Sequence, residues 1–115
     1  MDAILHTLSS AAGVEASLLV SREGLVIEQA GRLDNVDTDL LAATASEIYS
    51  SAETAGERFG RGLLENVVLE TEAARFLIAT VTSDVFLLVT AGKKANLGLL
   101  RWEVQASAEQ LKNEL

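Results

Sequence analysis

The chain has 115 residues, no cysteine, no proline and a formal net charge of −8. Without Cys there are no disulfides, no thiolate metal sites and no cysteine catalysis, and the acidic balance disfavours a phosphate backbone or an anionic membrane surface as partner. Hydrophobic residues make up 49% and aromatics only 4%, which suits one domain over residues 1–115 with a core of Leu, Val, Ile and Ala.

Met-Asp-Ala-Ile-Leu-His has no basic stretch ahead of its apolar residues, so no signal peptide is expected. No apolar run approaches the ~20 residues that span a bilayer. A cytoplasmic protein without membrane insertion or nucleic-acid binding is the expectation.

Asp2–Ala12 reads as a short helix, because Ile4, Leu5, Leu8, Ala11 and Ala12 fall on one stripe at 3.6-residue spacing. Gly13 stops it. Glu15–Ser21 and Leu25–Ala30 read as the two strands of a hairpin, turned by Arg22-Glu23-Gly24 with Gly24 free to take positive φ. Gly31–Asp37 is a polar loop.

Thr38–Phe59 is the longest helix, capped by Asp37 or Thr38. Its packing stripe is expected at Leu41, Ala45, Ile48, Ala52, Ala55 and Phe59. The other face carries Ala43, Thr44, Ser46, Ser50, Ser51 and Thr54, where a solvated helix more often has long Lys and Glu side chains. Such a face permits close approach of another helix.

Gly60-Arg61-Gly62 ends that helix. Three strands follow, Leu63–Glu70, Arg75–Val81 and Val85–Ala91, joined by links of hairpin length. The last two are almost continuously apolar, as strands covered on both faces are. The first of the three has no Pro or Lys to block pairing at a sheet edge. Leu97–Leu115 is the final helix, capped by Asn96, with Leu97, Leu100, Val104, Ala108, Leu111 and Leu115 as its buried stripe and Trp102 off it. The predicted fold is α/β, a five-stranded antiparallel sheet with helices on both faces in the order α-β-β-α-β-β-β-α.

Little here supports catalysis. His6 is the single histidine and has no positioned partner in sequence. Glu65 and Glu70 face opposite sides of a strand, and Glu70 and Glu72 flank a turn, so no acid/base dyad is expected. The loop Asp34–Asp39 lacks the Gly and distal Glu of a calcium loop. Gly92-Lys93-Lys94 lacks the first Gly and the hydroxyl residue of a phosphate-binding loop. Nothing fixes Arg58 or Arg61 toward a nucleotide. The chain therefore does not read as an enzyme, and no catalytic, cofactor or metal residue is expected.

Four pieces of sequence, in this order and spacing, resemble the Roadblock/dynein light chain family. They are Ser21-Arg22-Glu23-Gly24-Leu25-Val26-Ile27, Leu41-Ala42-Ala43, Phe59-Gly60-Arg61-Gly62-Leu63 and Asn96-Leu97-Gly98-Leu99-Leu100-Arg101. Glu72-Ala73-Ala74 departs from the family, where a Gly often stands. The resemblance implies a homodimer in which the third strands of two chains pair antiparallel and the long helices lie side by side. It places Ala42, Ser46, Tyr49, Glu65, Asn66, Val67 and Val68 at the dimer interface. It implies further a non-enzymatic regulator of a small Ras-like GTPase, in polarity or motility, with Ala43, Glu47, Ser50 and Thr54 facing the GTPase. Two other readings compete: a scaffold subunit without effect on hydrolysis, and a PAS- or profilin-like ligand sensor. The sensor needs an interior pocket with polar groups, and the strands show few inward polar residues.

Overall fold

Strands that are apolar on both faces need a layer on each side, and the chain supplies helices for both. A computed structural model describes residues 1–115. Its elements are α1 (Asp2–Ser9), β1 (Val14–Ser21), β2 (Val26–Gly31), α2 (Thr38–Phe59), β3 (Asn66–Glu70), β4 (Ala74–Thr82), β5 (Val85–Gly92) and α3 (Leu97–Glu114). The strands form one antiparallel sheet in the order β2-β1-β5-β4-β3. The predicted element order and fold class hold throughout.

The two layers are unequal. The side facing α1 and α3 holds a cluster of 16 buried residues, built on Leu19, Leu77, Leu87 and Val89 beneath Leu5, Leu8, Leu100, Val104 and Leu111. The α2 side holds 9, among them Leu18, Ile78, Phe86 and Leu88 beneath Ala42, Ala45 and Tyr49. α2 lies over β1 and β2 and reaches β5 where Tyr49 stacks on Phe86, ring centroids 5.0 Å apart. The β4–β3 half of that face has no helix of its own.

Ser17 is the one polar residue in the core. Its hydroxyl donates to the Leu5 carbonyl at 3.0 Å and sits 2.7 Å from the Ser9 hydroxyl. With one proton to give, Ser17 donates to Leu5 and accepts from Ser9. This pair fastens α1 to β1. The turn between β1 and β2 tucks under α2, where a Cβ on Gly24 would lie 3.0 Å from the Ala43 Cα. Gly24 is thus needed for that close approach as well as for its φ of +92°.

Several boundaries and faces differ from the sequence expectation. α1 ends at Ser9, not Ala12; the Ser10 hydroxyl bonds back to the His6 carbonyl, and Ala12 is exposed. β3 begins at Asn66, not Leu63. Leu63 is 96% exposed, and the first backbone hydrogen bond with β4 is the Thr80 N–H donating to the Glu65 carbonyl. On α2 the buried residues are Ala42, Ala45 and Tyr49. Leu41, Ile48 and Ala52 are only half-buried, while Ala55 and Phe59 are exposed. On α3 the stripe from Leu100 to Leu111 is buried as expected, but Leu115 is exposed.

Candidate functional site

Edge strand β3 pairs with β4 alone. The Glu65 carbonyl accepts from the Thr80 N–H, and the Thr71 N–H donates to the Ala74 carbonyl. In an antiparallel ladder bonded residues alternate, so Val67 and Leu69 turn their backbone groups toward β4. Asn66, Val68 and Glu70 turn theirs outward, where no strand of this chain meets them. Nothing on β3 itself, neither Pro nor Lys, protects this edge.

Beside the edge runs an apolar groove of about 240 Å³ between α2 and the uncovered half of the sheet. Leu41 and Ile48 line its helix side, and Leu69, Phe76 and Ile78 its sheet side.

At 3.6 residues per turn, α2 therefore presents three faces. Ala42, Ala45 and Tyr49 point into the core. Leu41, Thr44 and Ile48 border the groove. Ala43, Glu47, Ser50 and Thr54 point to solvent, all four exposed. These last are the residues that the family resemblance turns toward a GTPase. Apart from Glu47, their side chains are small. The Thr54 hydroxyl donates to the Ser50 carbonyl at 3.1 Å, so it lies against its own helix.

The seven residues expected at a dimer contact separate into two groups. Glu65 and Asn66 are exposed at the open edge, and Val67 and Val68 are half-buried there. Ala42 and Tyr49 do not fit the expectation, because they are 0% and 3% exposed within their own chain. Ser46 is half-buried and donates its hydroxyl to the Arg22 carbonyl. On α2 the surface open to a second chain is the groove side, one third of a turn away.

A clamp that the sequence did not reveal lies at the other end of the sheet. Arg22 forms a two-pronged ion pair with Glu53 of α2. Its Nε donates to the Ser83 carbonyl at 2.8 Å, and its guanidinium lies 5.5 Å from the centre of the Tyr49 ring. One side chain thus ties the β1–β2 turn, the β4–β5 turn and α2. The partners are 27 to 61 residues from Arg22 in sequence, so no local spacing announces them.

A second charged group closes the far end of β3. Glu70 accepts from the Arg75 Nε at 3.1 Å and from the Lys93 Nζ at 2.8 Å. The hydrogen bond from Lys93, then that from Arg75, holds the Glu70 carboxyl below its ordinary pKa. Lys93 thereby belongs to an ion pair, not to a phosphate cradle.

The remaining candidates are structural. His6 is exposed, its Nε2 3.3 Å from the Asp2 carboxylate. Asp37 accepts from the Leu40 N–H at 3.0 Å and caps α2. No group of three His, Asp or Glu residues is placed to hold a metal ion. No helix is long and apolar enough to cross a membrane. Every buried side-chain nitrogen and oxygen has a hydrogen-bond partner within the chain.

Comparison with known proteins agrees with this architecture. The Roadblock/LC7 domain model matches residues 2–91. The chain belongs to the Roadblock/LC7 family. That match ends before α3, so the Asn96–Arg101 piece lies outside it. An uncharacterized protein of Methanocaldococcus jannaschii is 33% identical over 113 residues, 97% of this chain and 96% of that one. The crystal structure of a Roadblock/LC7 domain from Streptomyces avermitilis superposes with a TM-score of 0.90 at 30% identity, covering 99% of this chain and 96% of that one. Myxococcus xanthus MglB gives a TM-score of 0.92 at 24% identity, over 98% and 92% of the two chains, and so shares the fold.

Proposed function

We propose that this protein is a single-domain, homodimeric, non-enzymatic regulator of a small Ras-like GTPase, acting in the cytoplasm. The observation that carries the reading is the pairing of two separate open surfaces. The β3 edge offers unpaired backbone groups beside an apolar groove, which suits the same edge of a second copy. The outer face of α2 is small, exposed and free of the core, which suits a close-fitting partner.

The dimer is the Roadblock arrangement. The outward groups of Asn66, Val68 and Glu70 meet the same strand of a second chain, and Leu41 and Ile48 of the two α2 helices cover the grooves. The GTPase sits on the helical surface around Ala43, Glu47, Ser50 and Thr54. Arg58 and Arg61 are exposed at the helix end, and this reading gives neither a role at the nucleotide. Regulation then comes from binding one nucleotide state better than the other.

The test is binding of the small Ras-like GTPases of the same organism, loaded with GDP or with a non-hydrolysable GTP analogue. The wild type binds one of them in a state-dependent way. Ser50→Arg abolishes that binding with an unchanged melting temperature, because an exposed position tolerates the side chain. Unaltered binding by folded Ser50→Arg removes this surface from consideration. Tight binding with equal hydrolysis rates makes the protein a scaffold.

A further inference from the structure

Thr80 sits where the α2 layer and the open edge meet. Its Oγ1 donates to the Leu64 carbonyl at 2.9 Å and lies 2.8 Å from the Tyr49 hydroxyl. The Leu64 carbonyl can only accept, so Thr80 gives its proton there and accepts from Tyr49. The Thr80 N–H meanwhile donates to the Glu65 carbonyl at 3.0 Å. Thr80 thus holds the two residues that lead into β3, and its own hydroxyl is held by α2.

From Tyr49 the chain of contacts continues outward. Arg22 lies over the Tyr49 ring and forms its ion pair with Glu53. Glu53 is three residues from Ser50 and adjacent to Thr54, at the border of the exposed face of α2. A continuous polar path therefore runs from that face to the start of the edge strand, Glu53–Arg22–Tyr49–Thr80–Leu64.

This path matters because β3 has little else at that end. Leu63 is exposed, and Leu64 is half-buried against the α2-side core, so apolar packing holds the start of the strand through one side chain. The hydrogen bonds from Thr80 hold its backbone.

We propose that this path couples the two surfaces, with Thr80 as the positioning residue that sets the start of β3 according to the state of α2. A partner that draws Glu53 away from Arg22 loosens the start of β3 and weakens pairing along its edge. By linkage, edge pairing favours the Glu53–Arg22 contact by the same factor. The proposal rests on the two-surface reading above, but its test needs no GTPase.

Site-resolved amide exchange separates the two levels. Val67 and Leu69 N–H groups bond to β4 and report the start of β3 within one chain. Val68 N–H points outward and reports pairing with a second chain. Glu53→Gln removes the charge at one end of the path, and Thr80→Val removes the hydroxyl at the other. Each single change is expected to speed Val67 exchange by about threefold or more, with Val89 and Leu87 in the core unchanged. The double variant is expected to match Thr80→Val alone, since the path is already cut. Thr80→Ser, which keeps the hydroxyl, restores the wild-type rate.

Two results overturn the proposal. One is unchanged Val67 exchange in Glu53→Gln. The other is a double variant whose acceleration is the product of the single ones, as independent sites give. Should Thr80→Val unfold, Tyr49→Phe takes its place in the cycle, with the same expectation. A wild-type Val68 amide that stays unprotected at high concentration overturns the shared edge instead, and leaves the Val67 result standing.

Discussion

Gly31 has a φ of +99°, and a Cβ there would lie 2.5 Å from the Glu15 carbonyl oxygen and 2.7 Å from the Ala16 Cα. Both atoms are backbone and cannot swing aside. Gly31→Ala is therefore expected to lose at least ~1–3 kcal/mol in urea unfolding, the cost of forcing a side chain into that region. Gly56, within α2, has ordinary helical φ and nothing within 4 Å of its missing Cβ. Gly56→Ala is expected to gain about 0.5–1 kcal/mol in the same measurement. Glu70 carries the pH dependence of this region. Its folded pKa is depressed, so its contribution is present above the unfolded carboxylate pKa and fades as pH falls through the lower folded value. Wild type is expected to be more stable than Glu70→Gln at neutral pH, and the gap to close under acid. A gap independent of pH would contradict the ion-pair account. None of these residues announces its role in sequence. Gly31 reads as one more loop residue, and Glu70 as one of 17 acids.

At the scale of elements, period and punctuation made most of the fold legible. The almost unbroken apolar runs Phe76–Ala79 and Val85–Val89 mark the central strands, and Asp37 and Asn96 cap their helices through Leu40 N–H and Leu99 N–H. α2 defeated the same reasoning. Alanines stand on every side of it, so continuing the stripe from Ala45, which is buried as expected, through Ala52 and Ala55 looks as apolar as the true course through Ala42 and Tyr49. Tyr49 decides between them, since its ring stacks on Phe86 and its hydroxyl meets Thr80. That contact joins residues 31 apart in sequence and has no local signature. The start of β3 was illegible for a related reason. Leu63 and Leu64 continue the apolar alternation, but the positive φ of Gly60 and Gly62 brings the chain to the sheet from outside. The three faces of α2 also make its two surfaces separable. Thr44 borders the groove, and its hydroxyl is bonded to the Leu40 carbonyl of its own helix. Thr44→Lys is expected to weaken self-association about tenfold or more while leaving partner binding per dimer intact, and Ser50→Arg to do the reverse. Sedimentation equilibrium checks the first. Loss of both properties in either variant would mean that the surfaces are one.

For the molecule as a whole, the uneven layers are what the proposed dimer rests on. Sixteen buried residues on one side and nine on the other leave the α2 side of the sheet short of cover over β4 and β3. In the proposed dimer a second α2 would supply it, and pairing of the two edges would satisfy the outward groups of β3. On the strand, the open edge was legible from the absence of Pro and Lys, and β3 does pair with β4 alone. On the helix, the burial of Ala42 and Tyr49 within their own chain was not legible, because a family resemblance gives the element but not the side of the helix that its own core consumes. The decisive measurement is the solution mass of wild type and Val68→Pro by light scattering at low micromolar concentration. The Val68 N–H points away from β4, so the proline removes an outward donor and no bond within the chain. The account predicts a wild-type mass near twice 12.2 kDa and a folded Val68→Pro monomer with near wild-type circular dichroism. A wild-type monomer, or a Val68→Pro variant that remains dimeric, would contradict it.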